Sequence, residues 1–217
     1  MAVKSKSAAK RQVWNKGLTI GQRDAFTPAQ VKRIRNVLVR RGVPGLRDLA
    51  LFSVAIDTML RGQDLVSLLV RDVQGPNGAI RSVISVRSTG KNRSALRCAL
   101  TKNTAAALGR WIEVSGLKAA EHVFPSRGTR HNRAMSARQL SRLLKMWVAE
   151  AGFDPKKYGT ESLRRTKALH ILNNTGDLEA VRALLGHEKI ESTSHYLRIR
   201  TLPKKSDPIA LSSSFEI

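Results

Sequence analysis

A phenol, an imidazole and a guanidinium stand close together in the last third of the chain. Tyr196 lies nine residues after His187, at the end of Leu185-Gly186-His187-Glu188-Lys189-Ile190-Glu191-Ser192-Thr193-Ser194-His195-Tyr196, and Ser162-Leu163-Arg164-Arg165-Thr166 precedes that stretch. These three groups are the ones needed around a single phosphate: a nucleophile, a hydrogen-bonding ring and a fixed cation. The remaining sequence bears on whose phosphate it is.

Charge gives the first answer. The chain has 217 residues, with 39 Lys and Arg against 16 Asp and Glu, a formal charge of +23. An excess of that size argues against an ordinary enzyme of small molecules. It suits nucleic acid, because each phosphate neutralised by Lys or Arg releases counterions. Charge alone fits a ribosomal protein equally well. No apolar run approaches the roughly 20 residues of a bilayer span, and the start of the chain lacks the apolar stretch of a secretory signal. The single Cys98 excludes an internal disulfide and a cysteine-based zinc site. A cytosolic protein that faces DNA or RNA is therefore the default expectation, with no membrane partner.

The elements that must position the trio follow from periodicity and capping. Residues 1–24 read as a basic arm carrying Lys4, Lys6, Lys10 and Arg11, with Trp14 as an apolar anchor. Thr27-Pro28 starts a helix whose apolar face is Val31, Ile34, Val37 and Leu38, closed by Gly42. A second helix, Leu46 to Leu60, is apolar nearly all round and should be buried, with Arg61-Gly62 ending it. Asp64 to Leu69 reads as a short amphipathic turn.

The period then changes. Ile80 to Val86 and Ala95 to Leu100 read as a β-hairpin with Gly90 in the turn. Helices follow from Asn103 to Val114, capped by Thr101, and from Ser136 to Ala151. Between these two helices lie the short extended Val123-Phe124-Pro125 and a basic loop with Arg127, Arg130, His131 and Arg133. Three short helices complete the body: Glu161 to Asn173, Leu178 to Leu185, and Ser192 to Leu197. The fold class is thus α+β, mainly helical, with a small antiparallel sheet. The body spans 25–200, and 201–217 reads as a tail with Ile209, Leu211 and Phe215 as apolar anchors.

The order Ser162-Leu163-Arg164-Arg165-Thr166-Lys167-Ala168, Leu184-Leu185-Gly186-His187, Tyr196 resembles the catalytic domain of the tyrosine recombinases, the phage integrase family, including their nine-residue step from His to Tyr. Thr58-Met59-Leu60-Arg61-Gly62-Gln63-Asp64-Leu65 resembles the family's first arginine segment, and the hairpin turn with Lys91 resembles its lysine-bearing hairpin. Val123-Phe124-Pro125 resembles a short motif between them.

The resemblance implies site-specific cutting and rejoining of double-stranded DNA through a 3′-phosphotyrosyl link. In it Tyr196 is the nucleophile. Arg61 and Arg164 bind the non-bridging oxygens, a role suited to a planar, permanently charged fork. Lys91 protonates the leaving 5′-oxygen, and His187 bonds the phosphate or places the phenol. Arg165, Arg127, Arg130, Arg133 and the arm cations are expected on the DNA backbone. Four protomers on two DNA sites are expected, without cofactor.

The chain departs from the family pattern in three places. Glu161 occupies the position, one helical turn before Arg164, where the family usually has His. A carboxylate there is able to accept the tyrosine proton, and it also repels the phosphate. Ser88 stands where many members carry Lys before Thr-Gly. Where most members carry an N-terminal DNA-clamping domain, only the basic arm is expected here, which resembles the short recombinases that invert fimbrial promoter segments. Two other readings stay open at this point: a type IB topoisomerase, and a DNA-binding protein that kept the fold and lost the chemistry.

Overall fold

The computed structural model describes residues 23–87, 95–126 and 133–198. Helix α1 (Pro28–Arg40) opens with the expected Thr27 cap, extended into a capping box by Gln30. A 3-10 turn (Val43–Gly45) leads into α2 (Leu46–Thr58), which is buried along almost its whole length. Strands β1 (Val83–Arg87) and β2 (Ala95–Ala99) pair antiparallel, with Ile84 opposite Cys98 and Val86 opposite Leu96. Those four residues are the buried face of the ribbon, as period-2 alternation requires. Helix α5 (Lys102–Ser115) is capped by Thr101 and α6 (Ala137–Glu150) by Ser136. The last third holds α7 (Thr160–Thr175), α8 (Leu178–Leu185) and α9 (Ile190–Leu197). The expected α+β, mainly helical architecture with a small antiparallel sheet is what forms.

One boundary differs from expectation, and it matters for the site. Helix α2 stops at Thr58, not at Arg61-Gly62, because Met59 adopts a left-handed conformation with φ 51°. The Thr58 hydroxyl donates back to the Val54 carbonyl and accepts from the Leu60 N–H. Gly62 then begins α3 (Gly62–Val66), with Arg61 as its N-cap residue. Arg61 thus stands at a helix start instead of a helix end. A one-turn helix α4 (Val70–Val73) follows. Helix α9 also begins two residues earlier than expected, at Ile190.

Two apolar clusters hold the body together. The larger joins α1, α2, the hairpin, α5 and α6, with Phe52 and Trp147 fully buried. The smaller gathers Met59, Ala168, Ile171, Leu178, Val181, Leu185 and Leu197 from the end of α2 and from α7, α8 and α9, with Tyr196 packed against it. Helix α7 contributes to both and is buried nearly all round, polar residues included. Lys167, fully buried, pairs with Asp57 at 3.2 Å. Asp57 in turn accepts from the Thr101 N–H and hydroxyl, both at 2.8 Å. This cluster ties α7 to α2 and to the junction of β2 with α5.

Candidate active site

Arg164 stands at the seam between the two clusters. It is 2% exposed, and its guanidinium donates to the Met59 carbonyl at 2.7 Å and to the Leu185 carbonyl at 2.5 Å. Both carbonyls lie where a helix turns off into a left-handed residue, Met59 after α2 and Gly186 after α8. The C-terminal carbonyls of a helix have no partner within it and carry its negative end. Arg164 therefore closes two helix ends with one side chain, which fixes the plane of the fork before any ligand arrives. Burial pulls its pKa down, and the nearby Arg61 adds to that, while Tyr196, Glu161 and Asp64 pull it back up. It remains a cation, as guanidinium does throughout the accessible range.

His187 follows Gly186, and two features favour glycine there. Its φ is +64°, and a Cβ would come within 2.4 Å of the Leu96 side chain. Strand β2 therefore presses directly on the turn that carries His187. The imidazole Nδ1 lies 3.0 Å from the Thr193 hydroxyl. With the hydroxyl donating, Nε2 carries the proton and is a donor toward the site. Burial, then Arg164 and Arg61, push the His187 pKa down to about 4, with Glu161 opposing. The ring is neutral at neutral pH.

Tyr196 lies on α9. Its hydroxyl donates to Glu161 Oε2 at 2.9 Å. The ring meets His187 edge to face, with centroids 5.4 Å apart and planes at 86°. The Arg164 and Arg165 guanidinium carbons lie 6.0 Å and 5.0 Å from its centroid. Burial first, then the Glu161 charge and hydrogen bond, raise the phenol pKa well above its usual value, against the pull of Arg164 and Arg165. Glu161, Arg164 and Arg165 occupy positions i, i+3 and i+4 of α7, one helix face turned toward the phenol. Arg61, exposed at the start of α3, is close enough for its charge to act on Arg164 and His187.

Tyr196, His187, Arg164, Glu161 and Arg61 are therefore brought to one place. Arg165 is brought there too, but not as a surface cation. It is 7% exposed and donates to the Arg23 carbonyl. Arg133 is exposed, and its carbonyl accepts from the Ser126 N–H, away from this cluster of contacts. Lys91, Arg127, Arg130, His131, Lys4, Lys6, Lys10 and Arg11 lie outside the described residues, as does the tail. Sequence reasoning missed Thr193 and the two backbone carbonyls on Arg164. Among the described residues no group of His, Cys, Asp and Glu is placed to hold a metal, and no helix is long and apolar enough to cross a membrane.

The model of the phage integrase family matches residues 24–202. The chain belongs to that family. Among curated proteins, this phage integrase family member is 33% identical over 167 residues to tyrosine recombinase XerC of Xanthomonas axonopodis pv. citri (strain 306), covering 76% of this chain and 52% of the relative. It is 27% identical over 161 residues to XerC of Syntrophus aciditrophicus (strain SB), covering 71% of this chain and 50% of the relative. The chain spans about half the length of the curated relatives it matches. Among solved structures, XerA recombinase aligns with a TM-score of 0.68 at 23% identity, over 83% of this chain and 62% of that one. XerH recombinase, bound to its palindromic difH substrate after cleavage, aligns with a TM-score of 0.66 at 18% identity, over 81% and 50%. At such identities these two comparisons speak for the fold.

Proposed function

We propose that this chain cuts and rejoins DNA at specific sites through a 3′-phosphotyrosyl intermediate, with Tyr196 as nucleophile. The observation that carries the reading is the tyrosine held between the Arg164 and Arg165 guanidinium groups and a neutral imidazole, with Arg61 near enough to act on Arg164 and His187, in a member of the phage integrase family. The phosphate sits against Arg164 and Arg61. Arg164 supplies N–H groups whose direction is already set by two helix ends. His187 donates from Nε2 to a non-bridging oxygen. Glu161 accepts the phenol proton as Tyr196 attacks phosphorus, and the P–O5′ bond breaks. A proton from Lys91 then completes the 5′-hydroxyl. Preorganised donors of this kind commonly contribute about 2.7–4 kcal/mol each to the transition state.

The remaining assignments belong to the same reading. The DNA is double-stranded, the body of the domain spans 25–200, and four protomers work on two paired sites. The arm, Arg127, Arg130 and Arg133 follow the DNA backbone, and no cofactor takes part. Support comes from the charge of +23 and from the XerH relative, whose structure contains its DNA substrate. A second reading rests on Glu161: a carboxylate on the phenol describes equally a DNA-binding protein that holds the tyrosine idle.

Trapping separates the two. A nicked DNA carrying a site the protein binds should accumulate a covalent protein–DNA adduct. Tyr196→Phe should bind that DNA equally and give no adduct. Binding without any adduct from the unaltered chain leaves the idle reading standing and removes the first.

A further inference from the structure

The geometry points to Arg165 as a positioning residue for Tyr196, one that joins the nucleophile to the segment by which the chain enters the domain. The inference rests on the proposed role of Tyr196. Its basis is separate from the phosphate-binding groups.

Three observations meet at this side chain. First, Arg165 is 7% exposed, so it is not available as an ordinary backbone-tracking cation. Secondly, its guanidinium carbon lies 5.0 Å from the Tyr196 ring centroid, closer than that of Arg164 at 6.0 Å. Thirdly, its Nη1 donates to the Arg23 carbonyl, while its buried Nε has no hydrogen-bond partner among the described residues. A buried guanidinium with an unsatisfied N–H is costly, and such groups call for a reason. The reason on offer is the aromatic face beside it. A cation over a phenol ring is attracted by the ring's quadrupole, more strongly when water is excluded.

The other end of the bridge is fixed as well. The Asp24 N–H donates to the Lys157 carbonyl at 2.8 Å, and the Phe26 N–H donates to the Thr166 hydroxyl at 3.0 Å. Phe26 stacks on Tyr158 with centroids 4.3 Å apart. Residues 23–26 are thus laid along the start of α7, and Arg165 passes that anchorage to the tyrosine. Glu161 holds the hydroxyl and Arg165 holds the ring, so the phenol has two restraints from one helix face. Losing the second frees the ring to turn away from the line of attack while leaving the phosphate clamp intact.

The test compares Arg165→Gln and Arg165→Lys with the unaltered chain on a nicked suicide DNA carrying a bound site. Single-turnover adduct formation at saturating DNA and the dissociation constant for DNA are read separately. Arg165→Gln should slow adduct formation about tenfold, with affinity changed less than about threefold. Arg165→Lys keeps a cation without the planar fork and should recover part of the rate. Equal rates in all three proteins overturn the inference. So does a loss in affinity large enough to account for the slower cleavage, which would make Arg165 a DNA contact. Equal loss in both variants would show that the cation over the ring is not the acting feature. Where Arg165→Gln melts before assay, Arg165→Met takes its place as the variant without a cation, and a rate equal to that of the unaltered chain overturns the inference. Absence of adduct from the unaltered chain removes the proposed function and this inference together; adduct from it with unchanged variants removes this inference only.

Discussion

Replacing Glu161 by Gln tests the proposed chemistry most sharply, because two opposite effects can be sized. The phenol donates to Glu161 Oε2 at 2.9 Å, and its pKa stands above the usual value. An ordinary phenol is ionised to about one part in several hundred at pH 7.5, and a raised pKa makes that fraction smaller. Attack by a preformed phenolate is therefore slow, and a base already in hydrogen-bond contact is worth about 10²–10⁴-fold. Taking the low end, loss of the base costs about 2.7 kcal/mol of barrier. Against this, the amide removes a negative charge facing the phosphate. Glu161 is exposed, and two charges 4 Å apart in water repel by about 1 kcal/mol. The base term is the larger. Single-turnover cleavage by Glu161→Gln should fall by at least about tenfold while DNA binds as tightly or slightly more tightly. Cleavage equal to or faster than that of the unaltered chain would refute the reasoning and make Glu161 a brake on the tyrosine. Glu161→His supplies the control: an imidazole base should restore cleavage and shift the acid side of the pH profile upward, because imidazole takes up its proton at higher pH than a carboxylate.

His187 and Lys167 carry the remaining expectations. The His187 pKa is pushed down to about 4 from 6.5. Between those values the unfolded chain holds a proton that the folded one does not, so this contribution to stability is complete above about pH 6.5 and lost as pH falls through 4. Full burial would make it about 3 kcal/mol; a half-buried ring keeps about 1 kcal/mol after screening. Urea unfolding from pH 7 to 4 should show that loss in the unaltered chain and not in His187→Gln, and parallel curves would remove the argument. Lys167→Met leaves the Asp57 carboxylate buried without its cation and should destabilise the fold by about 3–5 kcal/mol. The double change with Asp57→Asn should recover much of that in chemical denaturation; a Lys167→Met chain as stable as the original would show the pair to be unimportant.

The elements were legible where capping and periodicity agreed. Thr27, Thr101 and Ser136 cap the helices they were expected to cap, and Gly176 and Gly186 end theirs in left-handed conformations. The end of α2 was not legible, because Met59 takes a left-handed conformation that no residue type there announces, while the glycine nearby marks a helix start. The site divides in the same way. Side chains at a fixed spacing were visible: Tyr196, His187, Arg164, Arg61. Their partners were not, since backbone carbonyls have no sequence signal and Thr193 is one hydroxyl among several on α9. The direction of Arg165 was hidden for a related reason. Helix α7 is buried nearly all round, so its apolar pattern does not say which of two adjacent arginines faces the tyrosine.

Both do, and the consequence concerns charge balance. Without a phosphate, the phenol is held by the Glu161 carboxylate while Arg164, Arg165 and Arg61 supply the nearby positive charge. In the proposed chemistry the hydrogen bond to Glu161, which adds to burial in raising the phenol pKa, is also the path by which the proton leaves, so a protonated, inert tyrosine and a tyrosine ready to lose its proton are one arrangement. What separates them is the acceptor of the electron pair. On the proposed chemistry, a phosphate seated on Arg164 and Arg61 would present the phosphorus and offset the positive charge that, after burial, holds down the His187 pKa. In the proposed reaction, attack would convert the phenol's oxygen into an ester oxygen as its proton passes to Glu161, and no free phenolate would have to exist at any stage. On that proposal, the site is expected to stay silent in the absence of DNA, with Tyr196, Glu161, His187 and Arg164 already together.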